Sequence, residues 1–203
     1  MKFIKWKTLF ITGAVCLVPI LFGLLLWNYL PESIAIHFDI NNNPDNFASK
    51  PFVVFGIPFM MLILQIFCCF VNDINAKKYG TRRKFELATK WIIPIMSVIL
   101  QAVTLIYGLG IKIDIRRVAA IIVAGVFLVI GNYMPKFDYV KNFETDTEKA
   151  RKINRFIGTL TVGLGILYLI SVFLPPVATV VCLILMIPYA LICIIYSIAV
   201  IRK

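Results

Sequence analysis

Val177-Ala-Thr-Val-Val-Cys-Leu-Ile-Leu-Met-Ile-Pro-Tyr-Ala-Leu-Ile-Cys-Ile-Ile-Tyr-Ser-Ile-Ala-Val-Ile201 runs for 25 residues without one charged side chain. A helix rises about 1.5 Å per residue, so roughly 20 apolar residues cross the ~30 Å hydrocarbon core of a bilayer. The stretch reads as a membrane span. Working back from it, the chain shows five more, at about Thr8–Leu30, Phe52–Val71, Trp91–Leu109, Val118–Met134 and Ile157–Pro175.

Composition agrees. A chain of 203 residues that is 61% hydrophobic and 15% charged has too little polar surface to coat a soluble globule. Backbone groups in hydrocarbon must be bonded within their own segment, and none of the spans shows the period-2 alternation of a membrane barrel. The expected fold class is therefore all-α: a polytopic membrane protein with six transmembrane helices and a short structured extracellular loop. Residues 1–203 read as a single membrane domain of three hairpins: 1–71 with its outer loop at 31–51, then 91–134, then 157–201. Pro175-Pro176 leaves so short a turn that the last two helices must pack side by side and antiparallel.

Basic residues set the orientation. Lys2, Lys5 and Lys7, then Lys77, Lys78, Arg82, Arg83, Lys84 and Lys90, fall on one side of the spans. Lys136, Lys141, Lys149, Arg151, Lys152 and Arg155, with Arg202 and Lys203, join them, which makes 17 of the 21 Lys and Arg. Only Lys50, Lys112, Arg116 and Arg117 fall on the other side. Both termini are thus expected in the cytoplasm of a cell-membrane protein, and the formal net charge of +11 is mainly a topology signal. Basic loops also attract anionic lipids; nucleic acid is not needed to explain them. The first span lacks a small-residue cleavage pattern and reads as a retained helix rather than a signal peptide.

Inside the spans the chemistry is sparse. Cys16, Cys68, Cys69, Cys182 and Cys193 read as small apolar fillers, with no disulfide framework or metal site. Pro19, Pro58, Pro94 and Pro188 each free a carbonyl and can kink a helix. Gly158, Gly163 and Gly165 suit close helix packing. Gln65 and Gln101 are the most polar side chains well inside spans and read as interhelical links. No ionisable group stands at mid-membrane, where one would mark an ion pathway.

The loop Pro31–Lys50 carries the most specific pattern. Ile34, Ile36, Phe38 and Ile40 alternate with Ser33, Ala35, His37 and Asp39, as in a half-buried strand. Asn41-Asn42-Asn43-Pro44-Asp45 then supplies turn formers. His37 and Asp39 are expected on one side of the strand, with Asp45 and Lys50 returning towards them. Such a group suits weak cation binding or a grip on a peptide. It equally suits a structural reading in which Asp45 caps the turn, Lys50 anchors at the head groups and His37 bonds the loop's own backbone.

Leu30-Pro31, Ile34–Asp39, Asn43-Pro44-Asp45 and Ser49-Lys50 together resemble the signature loop of an uncharacterised membrane domain that forms the N-terminal part of SdpI-family immunity proteins. Gly131-Asn132-Tyr133-Met134-Pro135-Lys136 is similar to a second motif of that family. Three features depart from it. Asn43 stands where the family usually has Gly, and Phe137–Ala150 replaces an Arg-Thr-Pro-Trp-containing segment. Ile153-Asn154-Arg155 replaces Thr-His-Arg. On its own chemistry, Thr145-Asp146-Thr147-Glu148 offers an N-cap for a helix running through Arg151, Lys152 and Arg155.

The resemblance implies a protein that protects a Gram-positive producer against a secreted, membrane-active peptide toxin met at Ile34–Lys50 and at the short outer turn Ile111–Arg117. In the best-known member it also implies signalling, by holding a repressor protein at the membrane. Here Arg82, Arg83, Lys84, Arg151, Lys152 and Arg155 would be the cytoplasmic contact. Six spans with internal prolines also suit a small transporter or channel component. An enzyme lacks any nucleophile set beside a base, and no cofactor is called for.

Overall fold

The computed structural model describes residues 4–79, 83–136 and 147–202. Lys2, Arg82, Lys141, Lys203 and the N-cap expected at Thr145-Asp146 lie outside the described residues. Six helices follow the order of the apolar runs: α1 (Trp6–Leu25), α2 (Ile57–Tyr79), α3 (Arg83–Gly108), α4 (Ile115–Tyr133), α5 (Thr147–Ser171) and α6 (Pro176–Arg202). Each is long and apolar enough to cross a membrane. The fold is all-α and polytopic, with one small addition: strands β1 (Ser33–Phe38) and β2 (Pro44–Ser49) pair as an antiparallel hairpin between α1 and α2.

The helices overrun the apolar runs at the end away from the hairpin. Lys77, Lys78, Arg83, Lys84 and Lys90 sit on α2 and α3 rather than in a loop. Lys90 is fully buried. Polarity alone predicts loops in the intervals between spans, whereas a helix continues wherever its carbonyls keep their partners.

The chain divides into two compact units, residues 1–74 with 87–115 and residues 75–86 with 116–203. In the first, polar contacts link helices, as they must where lipid tails leave no hydrophobic force to drive helix association. Lys90 Nζ meets Asp73 Oδ1 at 2.6 Å, both side chains 1% exposed. The other oxygen of Asp73 accepts from the Lys5 backbone N–H at 3.1 Å, and so caps α1, whose own N-cap residue supplies no side-chain bond. These charges stand at the hairpin-distal ends of their helices, outside the spans drawn from the sequence.

The two glutamines act as links with a specific task. Pro94 has no N–H to offer the carbonyl four residues before it, and Gln65 Nε2 donates to that carbonyl, Lys90 O, at 2.9 Å. The same amide donates to Thr12 Oγ1 of α1 at 2.7 Å. Phe52–Gly56 is wound as a π-helix leading into α2, with Ile57 N–H bonded five residues back to Phe52 O. In that register Pro58 leaves Val53 O without a partner, and Gln101 Nε2 of α3 donates to it at 2.8 Å.

In the second unit small residues set the packing. A Cβ on Gly131 of α4 would meet Gly158 O and Val162 N at 2.8 Å, and one on Gly158 of α5 would meet Gly131 O at 2.7 Å. Gly165 lies against Leu128 and Ala124 O. Gly163, expected to share this role, has nothing within 4 Å of where its Cβ would stand. Pro135 seats on Gly158, so the Gly131–Lys136 motif reads as the closure of α4 on α5. α5 and α6 lie antiparallel, joined by Thr161–Tyr189 at 2.8 Å and by the stacked rings of Phe156 and Tyr196.

Lys90→Met removes the cation paired with buried Asp73 and is expected to destabilise the protein by about 3 kcal/mol or more. Adding Asp73→Asn, which keeps an acceptor for Lys5 N–H, restores most of that loss. Thermal unfolding in detergent, followed by tryptophan fluorescence, reads both variants.

Candidate functional site

The hairpin is anchored from below. Leu30, Ile34, Val53, Val54 and Leu105 form one buried cluster, so β1 rests on the π-helical stretch that Gln101 holds. Gly108 at the end of α3 lets Leu30 and Ile34 approach, since a Cβ there would meet Leu30 Cδ2 at 3.1 Å. Phe38 adds an edge-on ring contact with Tyr107, centroids 4.7 Å apart.

The expected alternation does not hold along β1. Ile34 and Ala35 are both buried, Phe38 is half-buried, and Ile36 and Ile40 are exposed. Register shifts on either side of His37 disturb the period further, because a bulge re-aims the side chains around it. Of the turn expected at Asn41–Asp45, Pro44 and Asp45 already belong to a second strand, Pro44–Ser49, whose Ser49 pairs with Ser33.

His37 and Asp45 meet as expected: Nδ1 to Oδ1 is 2.5 Å, with the side chains 67% and 46% exposed. Asp39 does not join them. Its Oδ1 accepts from the backbone N–H of Asn41 at 2.9 Å and of Asn43 at 2.7 Å, and its Oδ2 accepts from Asn43 Nδ2 at 3.1 Å. It is therefore Asp39, and not Asp45, that caps the turn. Donation from the Asn43 backbone first, then its side chain, then the Asn41 backbone, holds the Asp39 carboxyl below the usual carboxylate range.

Lys50 does not reach the pair either. It is buried at the root of the hairpin, Nζ 2.8 Å from Glu32 Oε1 and 3.3 Å from Trp27 O, and it lies over the Trp27 ring at 5.3 Å. Its backbone N–H bonds Glu32 O at 2.9 Å, which extends the ladder beyond Ser49. Asn43 and Pro44 build the turn and the start of β2.

Sequence reasoning missed Asn42. This residue takes positive φ, at 66°. Its amide clasps the turn between α3 and α4: Nδ2 donates to Ile113 O at 2.9 Å, and Oδ1 accepts from Ile115 N–H at 2.7 Å. The second bond caps the first turn of α4 from outside the helix. The loops at residues 33–49 and 109–115 thus form one surface. Three consecutive asparagines signal a turn, but nothing in them marks which one reaches 71 residues along the chain.

The opposite group is less organised. Arg83 and Lys84 are exposed on α3, and Arg151, Lys152 and Arg155 are exposed on α5, where they line an open hollow of about 540 Å³ with Glu148. Glu148 pairs with Lys152 at 3.1 Å on the helix expected there. Of the Gly131–Lys136 motif, Asn132 is exposed, Tyr133 packs near Phe85, and Met134–Lys136 form a 3-10 turn.

A family model described as a domain of unknown function, DUF1648, matches residues 14–62, which span most of α1, the whole hairpin and the π-helical stretch. The chain is 33% identical over 117 residues to "Immunity protein SdpI" of Bacillus subtilis (strain 168), covering 58% of this chain and 54% of that protein. The chain therefore spans about half the length of the curated relative it matches. No solved structure matches. Both matches are similarities over part of the chain, and the DUF1648 match takes in the loop Pro31–Lys50.

Asn42→Ala removes both clasp bonds and also the short polar side chain that lets asparagine tolerate positive φ better than alanine. Hydrogen exchange across 33–49 is expected to quicken, and Asn42→Gly, which relieves φ but not the clasp, recovers only part of the protection. Acid acts on the same turn. Asp39 has a lowered folded-state pKa, so its support is present above the ordinary carboxylate pKa and is lost as pH falls through the lower one. The turn amides of Asn41 and Asn43 should keep their NMR shifts until that range, and Asp39→Asn should abolish the transition.

Proposed function

We propose that this chain is a relative of the SdpI immunity proteins and an integral membrane immunity protein that protects a Gram-positive cell against a secreted, membrane-active peptide. The observation that carries the reading is the hairpin. Loops at membrane ends need only connect helices, yet this one is a paired, capped and clasped element lying within the DUF1648 match. It leaves the His37–Asp45 pair turned to solvent. The basic-residue count puts this end outside the cell and both termini inside, so a peptide arriving from outside meets the hairpin and the turn at 109–115 first.

A signalling extension uses the opposite end, where Arg83, Lys84, Arg151, Lys152 and Arg155 offer positive charge to an acidic repressor protein or to anionic lipids. The buried Lys90–Asp73 pair favours a second reading, a small transporter or channel component, since buried ion pairs often mark ion paths. Here the two charges neutralise each other and cap α1, which suits a structural link better. Liposome flux separates the two readings.

Expression in a sensitive Gram-positive strain, challenged with a panel of secreted membrane-active peptides, is expected to raise the tolerated concentration of at least one peptide tenfold or more. His37→Ala and Asp45→Ala are each expected to remove most of that gain at unchanged membrane level. Full protection by both variants would take the pair out of the site.

A further inference from the structure

Each strand of a two-stranded sheet keeps one unpaired edge. On β2 that edge is open to solvent: Asp45, Asn46, Phe47 and Ser49 are exposed, whereas Ile34 and Ala35 of β1 are buried. The ladder shows which groups face it. Lys50 N–H bonds Glu32 O, so the alternation of an antiparallel pair bonds Ile34 to Ala48 and turns the N–H and C=O of Phe47 and Ser49 outward. In keeping with this, Phe47 N–H donates not to β1 but to the side chain of its own neighbour, Asn46 Oδ1, at 2.8 Å.

Natural edges are guarded against a further chain by lysine, by proline or by a covering loop. β2 has Pro44 and Asp45 at its tip end and no Lys or Arg along its length. Residues 46–49 carry no guard beyond the Asn46 amide, and Phe47, 52% exposed, stands among them. Outward donors and acceptors recur along such an edge every second residue, at about 7 Å. A lipid head group presents acceptors in a cluster and does not match that row, whereas an extended peptide backbone does. A second copy of the hairpin would match it too, but would set Glu32, Asp39 and Asp45 against the same carboxylates; a peptide with a basic side chain is instead drawn to Asp45. Resting on the immunity reading above, we propose that an extended segment of the secreted peptide adds to β2 as a third strand. It bonds the backbone of Phe47 and Ser49, sets an apolar side chain against Phe47 and a basic one beside Asp45, and displaces Asn46 Oδ1 from Phe47 N–H. The backbone bonds hold the segment, and the two side chains select it.

The probe is the peptide against which the survival panel finds protection. In the unsubstituted protein in detergent, saturating peptide is expected to slow hydrogen exchange at the Ser49 amide at least tenfold, read residue by residue by NMR. In cells, Ser49→Pro removes the same N–H without taking a bond from the ladder. It is expected to lower the tolerated peptide concentration at least tenfold relative to Ser49→Ala, which keeps the N–H, at equal membrane level. Because a proline can also disturb the strand, the exchange measurement on the unsubstituted protein stands as the independent readout. A Ser49 amide whose exchange the peptide leaves unchanged would overturn the inference, and so would equal protection by the two Ser49 variants; in either case the unsubstituted protein still protects, and the immunity reading stands. A Ser49 amide already slow before peptide is added, in a protein that sediments as a dimer, would give the edge to a second copy and overturn the inference as well. Failure of the unsubstituted protein to protect against any peptide would overturn both.

Discussion

A carbonyl released by a proline inside hydrocarbon finds no water to bond, so it must find a side chain or cost several kcal/mol. Two such carbonyls, Lys90 O and Val53 O, are met by Gln65 and Gln101. The arrangement of the first unit depends on these two bonds. Gln65 ties α3, one turn before Pro94, to α2 and, through Thr12, to α1. Gln101 makes the π-helical entry to α2 tolerable, and that entry presents Val53 and Val54 as the platform on which Ile34 and Leu30 rest. A proline in the second helix thus reaches the surface of the protein through one amide.

The hairpin inherits its rigidity from this platform. Two strands alone are marginal in water; here one end is buried on the helices, the turn is held by Asp39, and Asn42 ties the tip to the start of α4. A rigid exposed element is what recognition of a flexible peptide calls for, because little of the interaction is then spent on ordering the receptor. The buried Lys50 closes the root of the hairpin on the exposed Glu32, while the tip side carries Asp45 and its imidazole partner in solvent.

Much of this is legible in the residues. Six runs of apolar side chains predict six helices, and the roles of Gln65, Gln101, Gly158 and the Pro175-Pro176 turn follow from the demands of lipid. The partnership of His37 with Asp45 is also readable, since a turn between two short segments has few registers. Other features rest on distance along the chain. Lys90 resembles a loop cation in the sequence because its partner, Asp73, lies on another helix. Spacing puts Asp39 with the histidine because the bulges around His37 leave no mark in composition, and the register carries Lys50 back to Glu32 at the hairpin root. The Asn42 clasp likewise arises from packing.

The protein's proposed role centres on a hairpin that stands outside the cell and is covered when the peptide binds. The most direct measurement replaces the exposed Asn46 with cysteine and follows its reaction with a membrane-impermeant maleimide in intact cells, with and without the peptide that the survival panel identifies. Prompt labelling that slows in the presence of peptide is the result expected. A cysteine at this position that reacts only after the cells are opened, or at the same rate with and without peptide, would contradict it.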